Sequence, residues 1–254
     1  MSEQTVVFNG KFNAKSVLVA GKPASGKSAS LMGIDNPRVL YLNCENGKLL
    51  PFRSKCKQVV VTDPLHIFNF IKQAEESGQF DAVVIDSLTF WFQMLESKYV
   101  IGSKNGLNAW QSFAQYFLTL MNDYVADSKM AFIFLAHTKT TYNEKELKDE
   151  IFVPVKGALA NNGIEAFFTT VLHTRVMDVN QLQDTNALLN ITDEDRARGV
   201  KYVFQTFIDA GTVGSRIRAP MGMWSLPEKF IDNDLGKVIH RINEYYSDGE
   251  ETVS

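Results

Sequence analysis

Short apolar, β-branched runs alternate along the chain with stretches of helical spacing. Ser16-Val17-Leu18-Val19-Ala20 opens the series, and Val39-Leu40-Tyr41-Leu42 follows Pro37. Val59-Val60-Val61 is the third run, residues 81–85 the fourth and residues 131–135 the fifth. Continuous runs of this length are expected of strands buried on both faces of a parallel sheet. Helical patterns fill the gaps. Pro64 opens one, Leu65, Phe68, Ile71 and Ala74 recur at helical spacing, and Gly78 closes it. A longer one carries Trp110, Phe113, Phe117, Leu120, Met121 and Tyr124, an aromatic stripe best read as core packing. This alternation predicts βαβ units, hence an α/β fold with a mostly parallel sheet flanked by helices. The last third differs. Residues 167–176 and 201–208 are extended in character, and the polar residues 178–199 between them read as an exposed excursion. That pattern predicts an antiparallel hairpin at the C-terminal edge of the sheet.

Composition narrows the class. A hydrophobic share of 45% in 254 residues allows a sizeable core and excludes a wholly disordered chain. Residues 1–246 are expected to form one domain, and residues 247–254 a disordered acidic tail. Two cysteines, Cys44 and Cys56, cannot build a disulfide scaffold or a four-thiolate zinc site. No two of His66, His137, His173 and His240 are spaced as a ligand pair. No apolar run approaches the ~20 residues of a membrane span, and the N-terminus has no secretory apolar core. A cytoplasmic protein without membrane partners is expected. The formal net charge of −3 argues against coating nucleic acid by bulk positive charge. Asp248, Glu250 and Glu251 carry that whole excess, so the remainder is neutral and leaves room for a local basic groove.

Gly21-Lys22-Pro23-Ala24-Ser25-Gly26-Lys27-Ser28 matches G-x-x-x-x-G-K-[ST], with a strand before it and a helix-like stretch after it up to Gly33. Residues 21–29, Ala29 included, are therefore expected to cradle phosphates. Glycines let successive N–H groups turn inward as an anion nest, and a helix N-terminus adds a favourable dipole. Lys27 would bridge the β- and γ-phosphates, and the Ser28 hydroxyl would ligate Mg²⁺. Val83-Val84-Ile85-Asp86 is an apolar strand ending in a carboxylate, where ligands bind in open α/β sheets. Asp86 is the second expected magnesium ligand, with a helix N-cap as its plain alternative.

Two further polar residues end apolar strands. Glu45 follows Val39-Leu40-Tyr41-Leu42-Asn43-Cys44, on a strand expected to neighbour the P-loop strand, and could polarise an attacking water as a general base. A surface glutamate is the bland alternative. Cys44 reads as a small buried filler rather than a nucleophile. His137 ends Phe134-Leu135-Ala136 and could touch the γ-phosphate or the attacking water; its alternative is a structural histidine.

These four elements, P-loop, strand-end Glu, strand-end Asp-Ser and strand-end Ala-His-x-Lys, resemble in that order the RecA/RadA-like core ATPases. With Val155-Lys156-Gly157-Ala158-Leu159, the chain resembles the compact bacteriophage ATPases of the Sak/RadA type over roughly residues 14–244. The sequence departs from RecA in its lack of a long N-terminal polymerisation helix, and from bacterial RadA in having no zinc finger before the core. The resemblance implies a Mg²⁺-dependent ATPase that binds single-stranded DNA in recombination or strand annealing. It makes Glu45 the catalytic glutamate, Asp86 the magnesium aspartate and His137 the sensor. It also implies a homo-oligomer, ring or filament, in which a neighbour supplies a basic finger. Arg216 and Arg218 are the candidates, with Lys156 a further one. A single-strand-binding protein is a possible partner, and a phage-encoded protein would work in the host cytoplasm.

The resemblance places DNA contacts in residues 97–106 and 138–156. Lys98 and Lys104 lie in the first, with Tyr99 beside them for stacking, and Lys139 begins the second. Lys139, Lys145, Lys148 and Lys156 there are balanced by Glu144, Glu146, Asp149 and Glu150. Another function class stays open: a nucleotide-gated oligomeric switch or recruitment protein without direct action on DNA.

Overall fold

A computed structural model describes residues 16–182 and 186–247. The acidic segment 248–254 therefore lies outside the described residues. Eight strands form one sheet: β1 (Ser16–Gly21), β2 (Val39–Asn43), β3 (Lys57–Val60), β4 (Ala82–Asp86), β5 (Ala131–His137), β8 (Thr170–Asp178), β9 (Val200–Gln205) and β10 (Phe230–Asp232). Their spatial order is β10-β9-β8-β1-β5-β4-β2-β3. The six strands from β8 to β3 run parallel, and β9 and β10 continue the sheet antiparallel. The α/β architecture with an antiparallel C-terminal edge is thus as the pattern predicts, with one strand more than a hairpin. A separate two-stranded ribbon, β6 (Lys139–Asn143) and β7 (Lys148–Phe152), follows β5 and leads to the one-turn helix α4 (Leu159–Asn162).

Period-two alternation divides the core between two faces. Leu18, Ala20, Leu40, Leu42, Val83, Ile85, Phe132 and Phe134 point to one side. There they meet α1 (His66–Ser77), α2 (Leu88–Leu95) and α3 (Gly106–Thr119), through Ile67, Ile71, Trp91, Phe113 and Phe117. The aromatic stripe of α3 is core, as its spacing implies. Val17, Val19, Val39, Val84, Ile133 and Leu135 point to the other side. Leu31, Ile34 and the apolar face of α6 (Leu235–Ser247) cover them.

Three expectations need correction. The third run is not buried on both faces: β3 is the edge strand, and three of its four residues are exposed. The polar stretch 178–199 is not a plain excursion. It includes the short helix α5 (Asp193–Arg198), and Val179, Leu182, Leu189 and Ile191 bury against Val203 as a small separate core. The segment after the P-loop is a 3₁₀ helix, Ser28–Ile34, running through Gly33. Ser30 explains part of this: its N–H is shared between the carbonyls of Gly26 and Lys27, and its hydroxyl donates back to Lys27 at 2.6 Å.

Gly33 fits where it does because α6 crosses close by. A Cβ there would meet the Asp234 carboxylate at 1.7 Å and the Gly236 nitrogen at 2.7 Å. Asp234 in turn accepts from the Gly236 N–H at 2.8 Å, closing the first turn of α6.

Candidate functional site

The C-terminal ends of β1, β4, β5 and β2 converge on a cavity of about 620 Å³. Glu45 was expected on a strand beside the P-loop strand. The order corrects this: β5 and β4 both separate β2 from β1. The residues still meet, because each closes its strand at the same sheet edge.

The loop after β1 has the backbone of an anion nest. Ala24 has φ 59° and Gly26 φ 94°. Lys27 is buried, and its amine donates to the carbonyls of Gly21 at 3.0 Å and Lys22 at 2.8 Å. Burial lowers the Lys27 pKa to about 8, against the opposing charges of Asp86 and Glu45. The Lys22 carbonyl is a shared point, since the Ser25 hydroxyl also donates to it at 2.7 Å. Ser25 additionally bonds Thr174 of β8 at 2.5 Å, bracing the loop from behind.

Asp86, at the end of β4, is 2% exposed. Ser28 Oγ and the Tyr41 hydroxyl each donate to its Oδ2 at 2.8 Å. Burial first, and the charge of Glu45 second, hold Asp86 above the usual carboxylate range. A buried carboxylate in contact with a serine hydroxyl, with its ionised form disfavoured, is a fitting place for a divalent cation. Ser28 and Asp86 would hold Mg²⁺. Helix capping does not describe Asp86, because Ser87 occupies the N-cap of α2.

Across the cavity, Glu45 Oε1 lies 3.4 Å from His137 Nε2, and Lys48 Nζ lies 3.0 Å from Glu45 Oε2. The His137 bond, then Lys48, lowers the Glu45 pKa to about 2 despite partial burial. His137 is fixed by its backbone N–H donating to Thr89 at 2.8 Å and by edge contact with Phe90. Cys44 is buried, and burial raises its thiol pKa, as suits a filler.

The far wall comes from a region in which the sequence suggested no site. Tyr202, Asn233, Asp195, Lys201 and Asp232 line the cavity opposite Leu49 and Pro51. Asn233 donates to the Gly26 carbonyl at 2.8 Å, and the Tyr202 ring lies where a Cβ on Gly26 would meet it at 2.9 Å. Lys201 bridges Asp195 at 2.9 Å and Asp232 at 3.2 Å. Tyr41 was read only as a core residue. No local signal marks these positions, because their relevance arises from β9 and β10 returning past the P-loop.

Other expected residues lie elsewhere. Arg216 pairs with buried Glu165 at 3.3 Å and covers the Phe152 ring. Arg218 donates to the carbonyls of Glu165 and Ala166, and its backbone pairs with Val171 near the start of β8. Lys98 forms an ion pair with Asp63, and the Tyr99 hydroxyl donates to the same carboxylate. Tyr99 also packs on Tyr116, so it is not the free stacking platform expected. Lys156 is paired with Glu96 at 2.6 Å. Lys104 and Lys139 are exposed.

A loop with anion-nest backbone after β1 and a hydrogen-bonded Ser28–Asp86 pair at the end of β4, with β5 between the two strands, fit the α/β fold of a P-loop NTPase. The family model of the AAA domain matches residues 13–203, and the chain belongs to that family. The family is of the ATPase type, which uses nucleotide. The match ends within β9, so Arg216, Arg218, β10 and α6 lie beyond it. No curated protein matches the chain. Among the described residues, no helix is long and apolar enough to cross a membrane.

Proposed function

We propose that the protein is a Mg²⁺-dependent ATP hydrolase that binds single-stranded DNA and acts in recombination or strand annealing as a homo-oligomer. One observation carries the hydrolase reading: Lys27, Ser28, Asp86, Glu45 and His137 line a single cavity, with Glu45 held ionised by His137 and Lys48. Lys27 would leave the Gly21 and Lys22 carbonyls for the phosphates. Mg²⁺ on Ser28 and Asp86 would neutralise charge on the β- and γ-oxygens. Glu45 accepts the proton of the attacking water, and its basicity rises when Lys48 or His137 turns away. His137 sits where it can sense that change and pass it to β6. Leu49, Pro51 and Tyr202 offer the apolar walls on which the base would rest.

The resemblance to Sak/RadA-type ATPases supports the DNA role, and exposed Lys104 and Lys139 are the cations best placed for it. Arg216 or Arg218 serves a neighbouring subunit as the finger. The experiment is an ATPase titration with single-stranded DNA, alongside particle size with and without nucleotide. Stimulation by DNA is expected; a flat response would remove the DNA role.

A second reading has its own observation. Lys98 and Lys156 are tied in intramolecular ion pairs, and Lys148 of the β6–β7 ribbon pairs with Glu146. This favours a nucleotide-gated switch that recruits partners. It is distinguished by nucleotide-dependent assembly without salt-sensitive DNA affinity.

A further inference from the structure

Behind the P-loop, on the side away from Glu45 and Asp86, lies a second cavity of about 320 Å³. Gly21 to Ser25 form its front wall, so the nucleotide loop is a partition between two chambers. The rear wall is β8, through His173, Thr174, Arg175, Val176 and Met177. Thr138 and Ile151, at the base of the β6–β7 ribbon, form the side.

Its chemistry is one-sided. Lys22, Arg175 and His173 line it, and among the described residues no carboxylate does. The front cavity contains Glu45, Asp86, Asp195 and Asp232. His173 is 3% exposed, and its Nε2 has no hydrogen-bond partner; the Nε of Arg175 is likewise buried and without one. Asp209, whose charge reaches Arg175, is already engaged by Lys229. The unmatched Arg175 Nε–H carries a desolvation cost that an acceptor entering the cavity would remove, and in one of its two tautomers His173 Nε2 presents an N–H to the same acceptor. Guanidinium and imidazole donors beside a lysine and threonine hydroxyls suit a compact oxyanion with several acceptor oxygens.

We propose that this rear cavity binds a phosphate group, held by Arg175 and His173 with Lys22 at its mouth. It is a site separate from the nucleotide's own phosphates, reached from the opposite side of the loop. Two sources share this chemistry: free inorganic phosphate and a phosphodiester of single-stranded DNA. The proposal stands on the cavity and not on hydrolysis at the front.

The test titrates inorganic phosphate into the full chain saturated with Mg²⁺-ADP, read by calorimetry and by ³¹P line broadening. Binding to the ADP-filled protein is expected. Arg175→Met should weaken it about tenfold or more, the range for losing one hydrogen bond to a charged group. Met177→Glu, at a partly exposed position, keeps the test independent of whether Arg175→Met folds. It adds a carboxylate to the cavity and should abolish the same binding. No uptake by the ADP-filled protein, or wild-type affinity in folded Met177→Glu, would overturn the proposal. ADP binding is measured first. If ADP does not bind, the nucleotide reading fails by itself, and the phosphate titration is read on the protein alone. Rear-site binding then follows Arg175→Met, and front-site binding follows Lys27→Met. A thymidine oligomer added last assigns the source: displacement of bound phosphate names the phosphodiester, and retention names the free ion.

Discussion

Glu45 Oε1 lies 3.4 Å from His137 Nε2, although β4 separates their two strands in the sheet. Both side chains rise from strand ends into the same cavity, so the gap left by one intervening strand is bridged above the sheet. Glu45 →Gln keeps the shape and removes the proton acceptor. Its ATP turnover should fall about 10²–10⁴-fold, the usual worth of a positioned base, with nucleotide affinity changed only a few-fold. Single-turnover hydrolysis and equilibrium binding, measured on one preparation, check both halves. Equal loss in both would remove the base role.

Gly33→Ala should destabilise the fold by about 1–3 kcal/mol, the usual cost of overpacking. The added carbon would meet the Asp234 carboxylate and the Gly236 backbone where α6 crosses. Gly106→Ala is the control: nothing lies within 4 Å of its Cβ position, and it opens α3 with ordinary φ. Denaturant midpoints of the two variants should separate clearly.

Stability should fall in mild acid through His173. Burial, then Arg175, lowers its pKa from 6.5 to about 4. The unfolded chain takes up this proton near pH 6.5 and the folded chain only near pH 4. The neutral form's contribution is therefore full above pH 6.5 and is lost as pH falls between those values. His173→Gln should flatten the stability profile across that window, measured by thermal melts in one buffer series.

Lys104 and Lys139 should act on DNA affinity without touching the fold. Lys104→Ala and Lys139→Ala are each expected to weaken single-stranded DNA binding and to lower its log-log salt slope by about 0.7. Fluorescence anisotropy at several salt concentrations is the measurement. An unchanged slope in both variants would favour the recruitment reading.

The two arginines should behave differently. Arg216→Ala leaves buried Glu165 without its ion partner, so about 1–3 kcal/mol of stability should be lost whether or not the residue also acts in a neighbour. Arg218 is exposed and donates only to two carbonyls, so Arg218→Ala should retain most of the stability. Mixing Arg218→Ala with Glu45→Gln protein checks action across subunits. Activity that departs from the average of the two is expected of a shared site.

Much of the site is legible in the sequence because its residues sit where apolar strands stop. Asp86, Glu45 and His137 each close an apolar run at or just past its C-terminal end, Lys27 follows β1 within the P-loop motif, and a parallel sheet brings those ends to one edge. Strand order is not written locally, so the place of Glu45 relative to β1 came out differently. Nor does β3 announce its edge position: Val59-Val60-Val61 is as apolar as a central strand. Tyr202 and Asn233 carry no motif, and only the return of β9 and β10 brings them to Gly26. Residues 178–199 look polar on average, and that average hides Val179, Leu182, Leu189 and Ile191, whose partner Val203 comes later in the chain.

The bond from Asn233 to the Gly26 carbonyl joins residues 207 positions apart in sequence. Closing so long a loop makes this a late event in folding. Synthesis proceeds from the N-terminus, so the phosphate loop emerges 207 residues before the Asn233 that braces it from the far wall. Nascent chains still short of Asn233 carry the full P-loop motif and cannot complete the pocket. The far wall is thereby the last part of the pocket to be made.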